Sequence, residues 1–185
     1  MILDAFAPTN NNQSIRNFST GSGKSNSFFL FTDNKQFVLK TLRPSEETLL
    51  FQKGGVLGPY YEHITQHPDS LISKVLGVFR VKLQMMDEPI TFLIMDSLIG
   101  NEYKRIKRLY DLKGSTLQRF VQLSEEEEQN GSGLKTLKDQ NFNGMDISVP
   151  EKERIVQLLA LDSEFLMSQS LMDYSMLLTV TRIAS

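Results

Sequence analysis

The chain has 185 residues, is 40% apolar and 23% charged, and carries a formal net charge of −2. That composition allows one domain or two small lobes around a buried core, and it excludes a generic polyanion binder; nothing in it points to nucleic acid. It contains no run of about 18 apolar residues that would predict a transmembrane helix. The N-terminus lacks the basic region and long apolar core of a secretory signal, and cysteine is absent, so disulfides and thiolate metal sites are excluded and a reducing, cytoplasmic compartment is expected.

In chain order, residues 1–22 are rich in Asn, Ser, Thr and Gln and read as a loose arm. "GSGKS" at 21–25 falls short of a P-loop, because Phe18 stands where that motif needs its first glycine. It remains a Gly/Ser loop that either lays backbone N–H groups over phosphates or serves as a linker. Two β-rich runs, Ser27–Thr32 and Gln36–Leu42, flank the turn formers Asp33 and Asn34 and predict a hairpin. Pro44-Ser45-Glu46-Glu47 predicts a helix start with Ser45 as its cap, running to Gly54-Gly55. Pro59 predicts a second helix through Gln66, stopped by Pro68. "SKVLGVFRVKL" and "EPITFLIMDSL" read as a second hairpin around the polar turn Gln84–Asp87.

"IGNEYK" is a connector, and "RLYDL" is predicted as a strand. Residues 124–133, "SEEEEQNGSG", are expected to be a solvated, flexible loop, since contiguous like charges repel. Ser148 with Glu151 forms a capping box, and Ile155, Leu158, Leu159, Leu161, Phe165 and Leu166 recur near helical spacing, which predicts a helix to about Ser170. His63 and His67 have a spacing that can hold a metal on a helix, but no third ligand accompanies them, and they are read as surface histidines.

Two features carry chemistry. Lys40 lies within the second hairpin strand, after a glycine loop and before a helix that opens with two glutamates. Kinases use that order to cover ATP and to pair a strand lysine with phosphates and a helix acid, although "HRD" and "DFG" are missing. The other is "YDLKGST", Tyr110–Thr116, where Lys104, Arg105, Lys107 and Arg108 precede the turn and Arg119 follows it. A charged but otherwise ordinary surface is the alternative reading of that segment.

The chain resembles the phosphatidylinositol phosphate kinases, through "SFFLFTDNKQFVLKT", "YDLKGSTLQR" and "MDYSMLL" in that order, over roughly residues 23–182. The resemblance implies an α+β, two-lobed kinase-like fold, with an antiparallel-sheet ATP-binding lobe at 23–98 and a partial catalytic lobe at 99–185 that includes a flexible acidic loop at 124–137. It implies ATP- and Mg²⁺-dependent phosphorylation of an inositol ring hydroxyl on a phosphatidylinositol phosphate, by a cytoplasmic protein peripheral at an anionic membrane surface. Carried over by residue, Lys40 would bind ATP phosphates with Glu46 or Glu47 as its partner. Gly23, Lys24 and Ser25 would lie in the phosphate loop, with Asn26 where a glycine is usual. Met95, Asp96 and Ser97 would form the hinge beside adenine. Lys113 would hold the transferred phosphate and Asp173 would orient the attacking hydroxyl. Lys104, Arg105, Lys107, Arg108 and Arg119 would face lipid and membrane.

The resemblance also marks departures. An acidic stretch expected as Asp-Leu-Asp-Phe stands as Asp139-Gln140-Asn141-Phe142, with the second acid lost. Ser185 comes twelve residues after Asp173, whereas the family has a further metal-binding aspartate and a basic activation loop, so the metal ligands and the ring position are left open. These 185 residues alone are expected to transfer phosphate poorly. A kinase-like module that binds nucleotide, acidic lipid or a protein partner without catalysis is the alternative reading. Oligomeric state is not legible.

Overall fold

The computed structural model describes residues 27–82, 84, 88–132 and 135–182. The arm at 1–22, the loop residues Gly23, Lys24 and Ser25, and most of the 84–87 turn lie outside the described residues. The fold is mixed α+β and divides into two compact units, one ending at Gly100 and the other beginning at Asn101.

The first unit is built on a four-stranded antiparallel sheet. Its strands are β1 (Phe29–Phe31), β2 (Phe37–Thr41), β3 (Val75–Val81) and β4 (Ile90–Asp96), in the order β1-β2-β4-β3. Both predicted hairpins form. The β1–β2 turn is held locally: Thr32 Oγ1 donates to Asn34 Oδ1 at 2.7 Å, and the same Asn34 oxygen accepts the Gln36 N–H at 3.1 Å. Register places Val38 opposite Met95 and Lys40 opposite Leu93. Because side chains alternate along a strand, Val38, Lys40, Thr91, Leu93 and Met95 share one face. Val38, Leu93, Ile94 and Val56 form the buried apolar set of this unit.

Two helices follow β2. Helix α1 (Pro44–Phe51) starts two residues earlier than Ser45 would allow as a cap: Arg43 is the N-cap and Pro44 occupies the first turn. The physical reason is that proline's fixed φ suits that turn, where its missing N–H has no partner to lose. Glu46 then accepts the Arg43 N–H at 2.9 Å and caps in place of Ser45. The helix stops at Phe51, short of the predicted Gly54. There the chain folds back on the helix end, with the Gly55 N–H donating to Gln52 O at 2.7 Å and the Val56 N–H to Leu49 O at 3.0 Å. A Cβ on Gly55 would sit 2.6 Å from Leu50 O, so only glycine closes this turn.

Helix α2 (Leu57–Gln66) begins two residues before Pro59, which lies within its first turn. His63 is not a surface residue; it is 8% exposed, with its ring 5.0 Å from that of His67. Among the described residues no group of three or more His, Asp or Glu could hold a metal ion. Tyr60 docks α2 on the chain entering β3, donating to Ser73 O at 2.9 Å and accepting the Val75 N–H at 2.7 Å.

The second unit centres on β5 (Ile106–Leu112), flanked by β6 (Thr136–Leu137), which is parallel, and β7 (Met176–Thr181), which is antiparallel. Ile106, Leu109, Tyr110 and Leu137 are its buried apolar residues, and Phe142 meets Tyr110 edge-on with ring centroids 5.3 Å apart. The acidic run is exposed as expected, but it is helical where a loop was expected. Helix α3 spans Glu125–Asn130, and the 124–137 stretch ends in strand β6. Ser124 and Glu127 form a capping box, Lys135 pairs with Glu127 at 2.9 Å, and four acids in the first turn face the positive end of the helix dipole. Helix α4 (Val149–Ser168) is capped by Ser148 and Glu151 as the spacing predicts. No helix among the described residues is long and apolar enough to cross a membrane.

Leu137 is fully buried. Replacing it with alanine in this short strand removes packing with little room to collapse, and is predicted to lower the unfolding free energy by about 2–5 kcal/mol in a denaturant titration. A loss below about 1 kcal/mol would contradict the assignment of the core to this face.

Candidate functional site

In the first unit, strand β2 presents Lys40 on the face where α1 begins. Its Nζ lies 2.9 Å from Glu46 Oε1, and the two side chains are about one-fifth exposed. The other Glu46 oxygen accepts the Arg43 N–H and lies 3.4 Å from Arg43 Nε, so one carboxylate both caps α1 and holds the lysine. Burial pushes the Glu46 carboxyl up, but the Arg43 N–H and the Lys40 and Arg43 side chains outweigh it and hold the group below its ordinary value.

The sequence left Glu46 and Glu47 as equal candidates. Glu47 accepts from Thr91 Oγ1 at 3.0 Å and pairs with Arg80 at 3.1 Å, so it ties α1 to β3 and β4. Met95 and Asp96 end β4, with Asp96 opposite Phe37 and its N–H donating to Lys74 O at 3.1 Å. Ser97 follows, its N–H donating to Gln36 O at 2.9 Å and its hydroxyl accepting the Gly100 N–H at 3.4 Å.

In the second unit the two motif stretches meet. Register pairs Leu112 with Met176, so the residue after β5 and the loop before β7 come to one end of the sheet. Lys113 Nζ there donates to Asp173 Oδ1 at 2.7 Å. Asp173 has φ +62° and a side chain 84% exposed. The Lys113 ammonium, with Arg119 as a further positive charge, holds the Asp173 carboxyl below its ordinary value. The pair offers a hydrogen-bond acceptor beside a fixed positive charge. It can orient a hydroxyl and neutralise an anion, and it contains no covalent nucleophile.

Asp139 organises the turn beneath this pair. Its Oδ1 accepts the N–H groups of Lys113 at 2.8 Å and Gly114 at 2.7 Å, and its Oδ2 accepts Arg119 Nε at 2.6 Å. Arg119 also reaches Asp111, donating to its carboxylate at 3.1 Å and to its carbonyl. Gly114 has φ +67°, a conformation that favours glycine. The Arg119 guanidinium and the two N–H groups hold the Asp139 carboxyl far below the usual carboxylate range. Asn141, where a second acid was expected, accepts the Val121 N–H at 3.0 Å and donates to Val121 O at 2.8 Å. A carboxylate could not make the second of these bonds, so asparagine here is structural.

The basic residues separate into three groups. Lys104 and Lys107 are exposed. Arg105 and Arg108 are half-buried and donate to the carbonyls of Arg182 and Glu128 at 2.8 and 3.2 Å. Arg119, expected with the membrane-facing residues, is instead 11% exposed and enclosed by two carboxylates. Asp139 was singled out only as the first acid of the altered stretch; its contact with a turn some 25 residues earlier was missed, because nothing in its spacing signals it. The resemblance implies Mg²⁺, but both Asp139 oxygens face N–H donors and the described residues assemble no cluster of metal-binding acids. The described residues do not make a protein-held metal site.

The family described as Phosphatidylinositol-4-phosphate 5-Kinase matches residues 9–185. Phosphatidylinositol 4-phosphate 5-kinase 1 of Oryza sativa subsp. japonica is 36% identical over 165 residues, covering 85% of this chain and 20% of the relative. Phosphatidylinositol 4-phosphate 5-kinase 1 of Arabidopsis thaliana is 35% identical over 169 residues, covering 91% and 21%. Phosphatidylinositol 4-phosphate 5-kinase its3 of Schizosaccharomyces pombe is 35% identical over 162 residues, covering 85% and 21%. The chain spans about a fifth of the length of these relatives.

Asp139 has its folded-state pKa depressed, so its stabilising contribution is complete above the unfolded value of about 3.9 and is lost as pH falls below it. Asp173 and Glu46 shift in the same direction. Urea midpoints of the wild type are predicted to fall steadily below about pH 4. Asp139→Asn is predicted to be less stable at pH 6 and to lose stability more gently below pH 4. Parallel curves would contradict the ionic role given to Asp139.

Proposed function

The chain belongs to the phosphatidylinositol-4-phosphate 5-kinase family, and on that premise we propose that it serves transfer of the γ-phosphoryl group of ATP to a ring hydroxyl of a membrane phosphatidylinositol phosphate. The names of the relatives point to phosphatidylinositol 4-phosphate as the acceptor and to its 5-hydroxyl. The observation that carries the reading is the Lys113–Asp173 contact. Two residues 60 apart, one from each of the two motif stretches in this unit, meet at 2.7 Å.

Phosphoryl transfer asks a protein for positioning and for neutralisation of spread negative charge. Lys40 binds ATP phosphates and Glu46 holds its ammonium. Met95, Asp96 and Ser97 border adenine, and Gly23, Lys24 and Ser25 belong to the loop over the phosphates. Asp173 accepts a hydrogen bond from the attacking hydroxyl and sets its direction. The Lys113 ammonium neutralises the phosphoryl group as it moves. Mg²⁺ would accompany ATP and would supply further neutralisation when bound. Lys104 and Lys107 face the anionic bilayer, where each basic residue contributes about 1 kcal/mol of attraction, and Arg105 and Arg108 add to the local positive field.

Lys40→Met is predicted to weaken ATP binding at least tenfold by calorimetry while the melting temperature stays within about 3 °C. Equal affinity in both proteins would remove Lys40 from the nucleotide site, and a wild type that binds no nucleotide would sink the kinase reading. In a labelled-ATP assay on vesicles containing phosphatidylinositol 4-phosphate, whatever transfer the wild type supports should be lost in Asp173→Asn.

Binding to those vesicles is predicted to weaken as salt rises and to drop when Lys104, Arg105, Lys107 and Arg108 are all changed to glutamate. Salt-independent binding, or none lost on charge reversal, would contradict an electrostatic membrane face.

A further inference from the structure

Asp139 takes no part in the roles above, yet its carboxylate accepts hydrogen bonds from three different residues. One oxygen accepts two adjacent backbone N–H groups, those of Lys113 and Gly114, and the other accepts the Nε of Arg119. Arg119 is in turn fixed to Asp111, the penultimate residue of β5. The ring closed in this way, Asp111 to Arg119 to Asp139 to Lys113, fixes the backbone of the lysine whose ammonium meets Asp173.

We infer that Asp139 is a positioning residue for the Lys113–Asp173 pair: by holding the Lys113–Gly114 turn it aims the Lys113 ammonium at the Asp173 carboxylate. The functional consequence rests on the lipid-kinase reading; the aiming itself does not. A lysine Nζ lies about 6 Å from its Cα, so a backbone swing of about 20° displaces it by about 2 Å, whereas productive geometry tolerates only about 0.5 Å. Lys113 follows the last residue of β5, so strand pairing no longer directs it, and its side chain is 30% exposed. Its direction is therefore set by the turn, and the turn is set by Asp139. Asp139 is a poor proton acceptor, because Arg119 beside it holds its carboxyl far below the usual range and both oxygens already accept donors.

Aiming and simple electrostatics predict opposite signs. Neutralising Asp139 removes a negative charge and releases that of Arg119, and both changes would lower the Asp173 pKa. Losing the Lys113 ammonium from Asp173 raises it. The test is the Asp173 carboxyl titration, followed by carbon-detected NMR in the full 185-residue chain, for wild type, Asp139→Asn, Arg119→Lys and Lys113→Ala. Lys113→Ala sets the full upward shift. Asp139→Asn is expected to give at least half of it, and Arg119→Lys, which keeps the charge but loses the fork between two carboxylates, a smaller shift in the same direction.

With transfer assayed in parallel, Asp139→Asn should lower kcat at least tenfold and leave KM for ATP unchanged. An Asp173 midpoint that stays put or falls in a folded variant overturns the inference, and so does failure of both variants to fold, since Asp139 would then hold the unit together rather than aim the lysine. Absence of nucleotide binding by the wild type would remove the kinase reading while leaving the titration result to stand on its own.

Discussion

In each unit a lysine on or just beyond a strand meets a carboxylate: Lys40 with Glu46 at 2.9 Å, and Lys113 with Asp173 at 2.7 Å. Lys40 and Glu46 are partly screened from water, whereas Asp173 is 84% exposed, and a pair that open adds little to stability because water screens the attraction and the side chains must be ordered to form it. Much of the surrounding structure nevertheless converges on them. Glu46 is delivered by a helix whose start it also caps, and that helix is anchored to the sheet by Glu47 through Thr91 and Arg80. Asp173 is delivered by an antiparallel register and a left-handed backbone that non-glycine residues seldom adopt. Local strain and convergent support around weakly stabilising contacts mark positions arranged for chemistry.

The two pairs differ in how they are held. Lys40 is directed by strand alternation, since its face also carries Val38, Leu93 and Met95, and a change of register would turn it to the other side of the sheet. Lys113 has left the sheet and cannot rely on alternation. Its support is a hydrogen-bonded turn, with Asp139 accepting three N–H groups and Arg119 enclosed between two carboxylates. That arrangement explains why positive charge gathers around one acid and one glycine turn. Part of the charge, Arg119, is structural, and part, Lys113, is presented.

The strands were legible because their cues are local. Two β-rich runs and the Asp33-Asn34 turn gave the first hairpin, and "RLYDL" gave the C-terminal part of β5. The Ser148–Glu151 box marked the start of α4 for the same reason. Errors arose where a second cue competed. At the start of α1, Pro44 outranked Ser45. In 124–133, capping by Ser124 and Glu127 and the helix dipole overcame the repulsion between acids. The lysines and Asp173 were legible through motif resemblance. Asp139's role was not, because it depends on contacts between residues about 20 to 26 apart that no local pattern encodes. The choice between Glu46 and Glu47 needed the helix phase, which the sequence alone did not set.

The central claim is that the paired lysines are presented to phosphate rather than kept as surface charge. Lysine-selective ¹⁵N NMR of the side-chain ammonium groups during addition of ATP tests it most directly. The account predicts that the Lys40 resonance moves first and saturates, while Lys35, Lys53 and Lys74 of the same unit stay in place. A stationary Lys40 with uniform drift of the other lysines would contradict it.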